Sequence, residues 1–145
     1  MTKIDETITI HGHVSFVLRG EDGEIKDHWE EDNTVTAAGK AGLSDQTLAA
    51  PTLAKAGWMA LGTGTPGATA LGTELSRQAL ATKTRSTNVL TFTCSWAAGV
   101  GTGALTEAGL FDAASTGNMW LSASFAAKNK GASDTLSATW TLTVG

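Results

Sequence analysis

The chain has 145 residues, a length typical of one domain with its own hydrophobic core. Its 41% hydrophobic and 17% charged residues exclude a disordered chain, and a net charge of −4 without a basic stripe argues against nucleic-acid binding. The sequence has no apolar run long enough for a membrane span, no signal-peptide stretch and only one cysteine, Cys94, so we expect a single domain over residues 1–145 from a reducing compartment.

The first 32 residues are strongly acidic. They hold nine acidic and three basic side chains, whereas residues 33–145 hold five acidic and seven basic ones. Such an arm is compatible with docking on the basic surface of a neighbour, with Asp5 and Glu6 as interface candidates. A well-solvated hairpin is the alternative interpretation.

Alternating apolar residues on either side of an Asp22-Gly23 step predict a β-hairpin within this acidic segment. If residues 21 and 22 form the tip, Phe16 faces Asp27. In that register one outer face carries His11, His13, His28 and Glu30, with Glu30 opposite His13. Convergent imidazole and carboxylate groups are Zn²⁺ ligands, but no other groups are seen to orient the rings. A polar solvent face is therefore preferred, with a metal site as the alternative.

The middle of the chain is less regular. Residues 36–43 predict a short helix, residues 58–61 a short buried strand, and residues 75–85 a further strand. The loop 62–67 formally satisfies G-x-G-x-x-G. It contains Pro66, no acid follows about 20 residues later and its surroundings are not βαβ, so we expect a mobile or docking loop instead of a dinucleotide site.

Period-2 alternation dominates the C-terminal half. Apolar side chains alternate with Thr or Ser over residues 89–97, 119–126 and 135–144, and residues 104–111 add another strand. The sequence therefore predicts an all-β, single-domain antiparallel β-sandwich, jelly-roll-like, with about eight strands and one or two short helices.

No reactive centre stands out. Cys94 falls on a buried strand face, where a thiol is unreactive. The carboxylate clusters Glu30/Glu31/Asp32 and Glu107/Asp112 come without an evident sugar-binding cleft and are interpreted as surface charge. We therefore expect no enzyme and no cofactor.

The tryptophans divide into two groups. Trp96 and Trp140 fall on apolar strand faces and are predicted core residues. Trp120 falls opposite Met119 and Leu121, so we expect it to be exposed as an interface anchor or a sugar-stacking platform. Trp58 is ambiguous. A carbohydrate-binding module using Trp120 and Trp58 is therefore one hypothesis.

Several segments in a fixed order carry a resemblance to a known group. They are residues 23–27, 33–40, 58–65, 70–75 with Arg77, 105–113 and 128–130, followed by the Thr-rich last strand. This order resembles small virion structural proteins of tailed bacteriophages and the N-terminal domains of phage tail-collar fibres. The segments 61–65 and 107–111 are the most specific, and neither is catalytic in that group.

The resemblance implies a virion structural protein, made in the bacterial host cytoplasm. We expect a capsid cement or decoration protein that bridges major capsid subunits, with a tail-collar or tail-fibre adaptor as the alternative. Expected partners are the major capsid protein or other virion proteins and further copies of the chain, as a dimer or trimer, without nucleic acid or membrane. Interface candidates are Trp120, Trp58, Thr63, Thr65, Asp5 and Glu6.

Overall fold

Strands account for just over half of residues 7–145. In the computed structural model, which describes residues 7–145, there are ten strands and one helix. They are β1 (Ile10–Arg19), β2 (Ile25–Asp32), β3 (Thr34–Val35), α1 (Ala37–Asp45), β4 (Trp58–Gly62), β5 (Glu74–Ala79), β6 (Thr82–Ser86), β7 (Val89–Trp96), β8 (Gly103–Phe111), β9 (Met119–Lys130) and β10 (Thr135–Val144).

The strands form two antiparallel five-stranded sheets. Sheet A has the order β2-β1-β10-β7-β6, and sheet B has the order β3-β9-β8-β4-β5. The predicted all-β sandwich is confirmed, with ten strands where about eight were expected. One extra strand is the two-residue β3, and another arises because residues 75–85 contribute to both sheets, as β5 and β6. Within residues 7–145, no helix is long and apolar enough to cross a membrane.

The core lies between the sheets, where the apolar half of each alternating strand points. Trp96 and Trp140 are fully buried there, as predicted. Phe16 and Trp29 stack at a centroid distance of 4.9 Å near the acidic edge of sheet A. Burial of such large side chains is the main stabilising term of a domain this size.

The predicted hairpin exists, but its register was wrong by two residues. Phe16 pairs with Trp29 instead of Asp27. Side-chain direction repeats every two residues, so a shift of two preserves the face on which each side chain lies. The prediction of which residues share a face was therefore right although every pair in the β1–β2 ladder was wrong.

Two local irregularities produce this shift. The N–H of Gly20 donates to the carbonyl of Glu24, so the loop has three residues where two were expected. Gly23 adopts φ +83° in that loop, a conformation that glycine allows at little cost. A second one-residue shift lies between Leu18 and Arg19.

The prediction that Trp120 is exposed was wrong, because a bulge reverses the alternation of β9. Phe111 pairs with Met119 while Leu110 pairs with Leu121, which leaves Trp120 as the extra residue. Its side chain is only 5% exposed and joins the core, whereas Met119 joins a separate small cluster with Phe111. A bulge re-aims the side chains on either side of it.

Helix α1 covers Trp120 at close range. The side chain of Thr36 caps the helix by accepting from the N–H of Gly39 at 3.0 Å, and its hydroxyl donates to the Trp120 carbonyl at 3.1 Å. A Cβ atom added at Gly39 would lie 2.3 Å from the Trp120 carbonyl oxygen, and one at Gly42 would lie 2.2 Å from the indole ring. The two glycines therefore set how closely the helix packs on β9.

We expect Gly39→Ala to destabilise the protein although alanine is the better helix former. Helix propensity favours alanine by about 1 kcal/mol. The clash with the backbone of β9 is expected to outweigh this gain, for a net loss of about 1–2 kcal/mol in the free energy of unfolding. Chemical denaturation measures the difference. Gly57→Ala is the control, since a Cβ there meets nothing closer than 3.8 Å; equal stability of the two variants would contradict the packing described.

Candidate functional site

The carboxylate of Glu107 is buried with no exposed surface, although the sequence suggested a surface charge. Its Oε2 accepts hydrogen bonds from the N–H groups of Gly64 at 2.6 Å and Thr73 at 2.9 Å, and its Oε1 accepts from Gly72 at 2.6 Å. An unpaired carboxylate in the interior would be strongly unfavourable, and charge-assisted bonds to three N–H groups compensate for lost hydration. Glu107 therefore ties both ends of the loop over residues 62–73, hereafter the clamped loop, to β8.

Glycine lets the loop backbone come close enough to make these bonds. A Cβ atom at Gly64 would lie 2.9 Å from the Glu107 carboxylate, and one at Gly72 would lie 2.3 Å from the carbonyl oxygen of Thr65. The hydroxyl of Thr106 also donates to the carbonyl of Gly64 at 2.6 Å. The clamped loop thus holds a carboxylate on its backbone N–H groups, and the carboxylate is the protein's own.

Beside the clamp, a small apolar cluster covers part of the outer face of sheet B. Arg77 lies over the ring of Phe111, 3.7 Å from its centroid, and donates to the carbonyls of Ala113 and Thr116 at 2.9 and 2.8 Å. Trp58 is half-buried against this cluster. The cluster's buried members are Ala60, Leu71, Phe111 and Met119. Leu71 belongs to the clamped loop. Apolar packing therefore fixes the loop in addition to the hydrogen bonds of Glu107.

The clamp brings together segments on which the phage resemblance rests. Residues 61–65, 70–75 and 105–113 contact one another around Glu107, and they form one continuous unit. Thr63 and Thr65 are exposed on the rim of this unit, where a partner could reach them. Two further predicted interface residues, Asp5 and Glu6, lie outside the described residues.

Sheet A offers a different surface, made almost entirely of hydroxyl groups. Thr82, Thr93, Thr139 and Ser15 follow one another across neighbouring strands in a single row. The hydroxyl oxygens of Thr82 and Thr93 lie 2.5 Å apart. The other Thr and Ser residues on this face are Thr84, Ser86, Thr91, Ser95, Thr135, Ser137, Thr141 and Thr143. We call this surface the hydroxyl face.

At the acidic edge of the hydroxyl face, His13 bridges two carboxylates. Its Nδ1 lies 3.2 Å from Asp32 and its Nε2 lies 3.2 Å from Glu30. The hydrogen bond to Asp32 is the main cause that raises the pKa of His13 above its usual 6.5; burial opposes it, and the hydrogen bond to Glu30 adds to the increase. Glu30 pairs with Ser15 in the ladder, not with His13 as predicted, but its side chain still reaches the ring.

The other two histidines do not converge on His13. His11 lies opposite Thr143, and His28 lies opposite Val17. Across residues 7–145, no group of three or more His, Cys, Asp or Glu side chains is arranged to hold a metal ion.

Other buried ionisable groups also have structural roles. Asp112, expected at the surface, is buried and accepts from the N–H of Asn118 at 2.7 Å. Asp134 binds Lys26 at 2.8 Å, which lowers the pKa of Asp134 and connects two hairpins. Burial raises the pKa of Cys94 to about 11, so its thiol stays protonated and is a poor nucleophile at neutral pH.

No protein-family model matches the chain, and no curated protein or solved structure matches it significantly.

We expect Glu107→Gln to loosen the clamped loop. The amide keeps the side-chain shape but turns an –NH₂ group toward backbone donors, so at least one buried donor loses its acceptor, at about 1–3 kcal/mol. Hydrogen exchange should become faster at the amides of Gly64, Gly72 and Thr73. Glu21→Gln, at an exposed turn, is the matched control. Unchanged exchange at these three amides would show that Glu107 does not hold the loop.

We expect His13 to make stability depend on pH. Because its pKa is raised in the folded protein, its contribution is fully present below 6.5 and is lost as the pH rises through the folded-state value. The partial exposure of the group keeps the contribution below about 1 kcal/mol. Chemical denaturation should therefore show wild type losing stability relative to His13→Gln as the pH rises from below 6.5 into the mildly alkaline range. His11→Gln is the control, and a pH-independent difference for His13→Gln would refute the assignment.

Proposed function

We propose that this chain is a structural protein of a tailed-bacteriophage virion, a capsid cement or decoration protein that bridges and stabilises major capsid subunits. The observation that carries the proposal is the clamped loop. Three segments of the phage resemblance, residues 61–65, 70–75 and 105–113, converge there on a buried carboxylate that has a structural role, and its hydrogen bonds anchor the loop at both ends.

Adhesion without chemistry requires surfaces that can approach a partner at small cost. The rim of the clamped loop is made of Thr, Gly, Pro and Ala residues, including the exposed Thr63 and Thr65. Such short side chains lose little conformational entropy and shed little bound water when a partner covers them. Many copies on one particle make even a modest interface effective through multivalency. These features support docking through the rim.

The carbohydrate-binding hypothesis loses its main support. It required an exposed aromatic platform at Trp120, and that side chain is buried beneath α1. Trp58 alone is half-buried against the outer cluster. We therefore do not propose this function.

The proposal is tested on purified particles of the virus that encodes the chain. Particles that lack the protein should release their genome at a lower temperature than complete particles, and adding the protein back should restore the difference. Equal release temperatures would refute the cement role. Cryo-electron microscopy of the complete particle then places the protein on the shell or, as the adaptor alternative requires, on the tail.

We expect the double variant Thr63→Arg/Thr65→Arg to fold normally but to bind particles at least about tenfold more weakly. Two long charged side chains on the rim would hold the partner surface apart and lose hydration when covered. The double variant Ala49→Arg/Ala50→Arg, at exposed positions beyond α1, adds the same two charges and is the matched control. Co-sedimentation with stripped particles measures the affinity, and equal binding of both variants would exclude the rim as the docking surface.

A further inference from the structure

A cavity of about 140 Å³ opens between α1 and the β6–β7 side of the sandwich. Its apolar walls come from Leu43, Ala56, Leu90, Phe92 and Trp120. Apolar cavities close to this size hold a group as large as benzene, so one branched or aromatic side chain would fill it.

The polar residues that line the cavity are Gln46, Lys55 and Lys83, and Lys83 already donates to the carbonyl of Ala56 at 2.8 Å. Gln46 lines the cavity, and its buried Nε2 has no hydrogen-bond partner within residues 7–145. Lys55 and Lys83 complete the lining, and both residues are exposed. Arg85 lies two residues beyond Lys83 on the same face of β6, so the cavity is bordered by positive charge.

The neighbouring strand β6 lies at an edge of sheet A, and its outer side has no strand partner within residues 7–145. It is the last strand of sheet A, and all five of its residues are exposed. Edge strands present unpaired N–H and C=O groups to which another extended segment can add. A suitable occupant is therefore an extended, acidic segment with one apolar side chain.

We propose that the N-terminal segment of a second copy, residues 4–8, adds to β6 and inserts Ile4 into the cavity. The segment reads Ile-Asp-Glu-Thr-Ile, so in an extended conformation Ile4, Glu6 and Ile8 share one face. With Ile4 in the cavity, Glu6 lies beside Lys83 or Arg85, and cross-strand pairs of opposite charge are favourable. Ile8, 73% exposed in the single chain, is the apolar residue that this pairing would cover.

The distance from the chain's own N-terminus favours a second copy. Thr9 lies at the end of sheet A, where its carbonyl accepts from the N–H of Gly145. From β1, strand β6 is three strand spacings away, about 14 Å, and Lys83 lies about 17 Å further along the sheet. The outer edge of β6 is one spacing further still, about 19 Å from β1, whereas five extended residues reach at most about 17 Å, so the segment is too short to add to β6 of its own chain.

Sedimentation equilibrium of the purified full-length chain tests this proposal. Wild type should self-associate, and Ile4→Asp or Lys83→Glu/Arg85→Glu should raise the dissociation constant at least about tenfold. Adding Glu6→Lys to Lys83→Glu/Arg85→Glu should restore most of the affinity, because the charges are complementary again. Ile25→Asp, which alters another exposed isoleucine, is the matched control. Circular dichroism establishes that each variant is folded.

Three results would overturn the proposal: a wild type that is monomeric at every concentration, association unaffected by Ile4→Asp, or association lost equally in Ile25→Asp. The inference does not rest on the proposed virion function, since the test uses the isolated chain. If the isolated chain does not self-associate as proposed, the virion function is not affected, and the particle experiments test it independently.

Discussion

The buried carboxylate of Glu107 is the constraint on which the candidate site depends. A charge can remain in the interior only if donors replace its hydration, and the donors here are backbone N–H groups at both ends of the clamped loop. The loop must therefore lie over sheet B, and glycine must occupy the positions of closest approach. A carboxylate often indicates a catalytic or an exposed group. The carboxylate of Glu107 instead determines the path of the clamped loop over sheet B.

Alternation of side chains was enough to predict the sandwich but not its local departures. The strands around Phe92 and Trp140 alternate without interruption, so their buried faces could be predicted from the sequence. Trp120 could not, because one extra residue in β9 reverses the alternation and no residue type marks that bulge. The hairpin pairs failed for the same reason, since two one-residue irregularities change the partners while preserving the faces.

The role of Glu107 was also missed, although the sequence carried a signal for it. It is the one charged residue among positions 103–111, a strand that is otherwise apolar, small or hydroxyl-bearing. A single charged side chain in such a strand is expected to be either exposed to water or fully hydrogen-bonded in the interior. Which of the two applies to Glu107 depends on the path of the clamped loop, which lies more than thirty positions away in the sequence. The alternation of side chains along a strand does not show which distant segments of the chain come into contact.

Rigid presentation of the clamped loop is the central claim, and ¹⁵N backbone relaxation of the wild-type chain tests it most directly. Gly-rich loops that lack tertiary anchors move on the ps–ns timescale, with order parameters below about 0.6. We expect order parameters of about 0.85 at Gly64, Gly72 and Thr73, equal to those of the core strands. Low order parameters at these positions would contradict it.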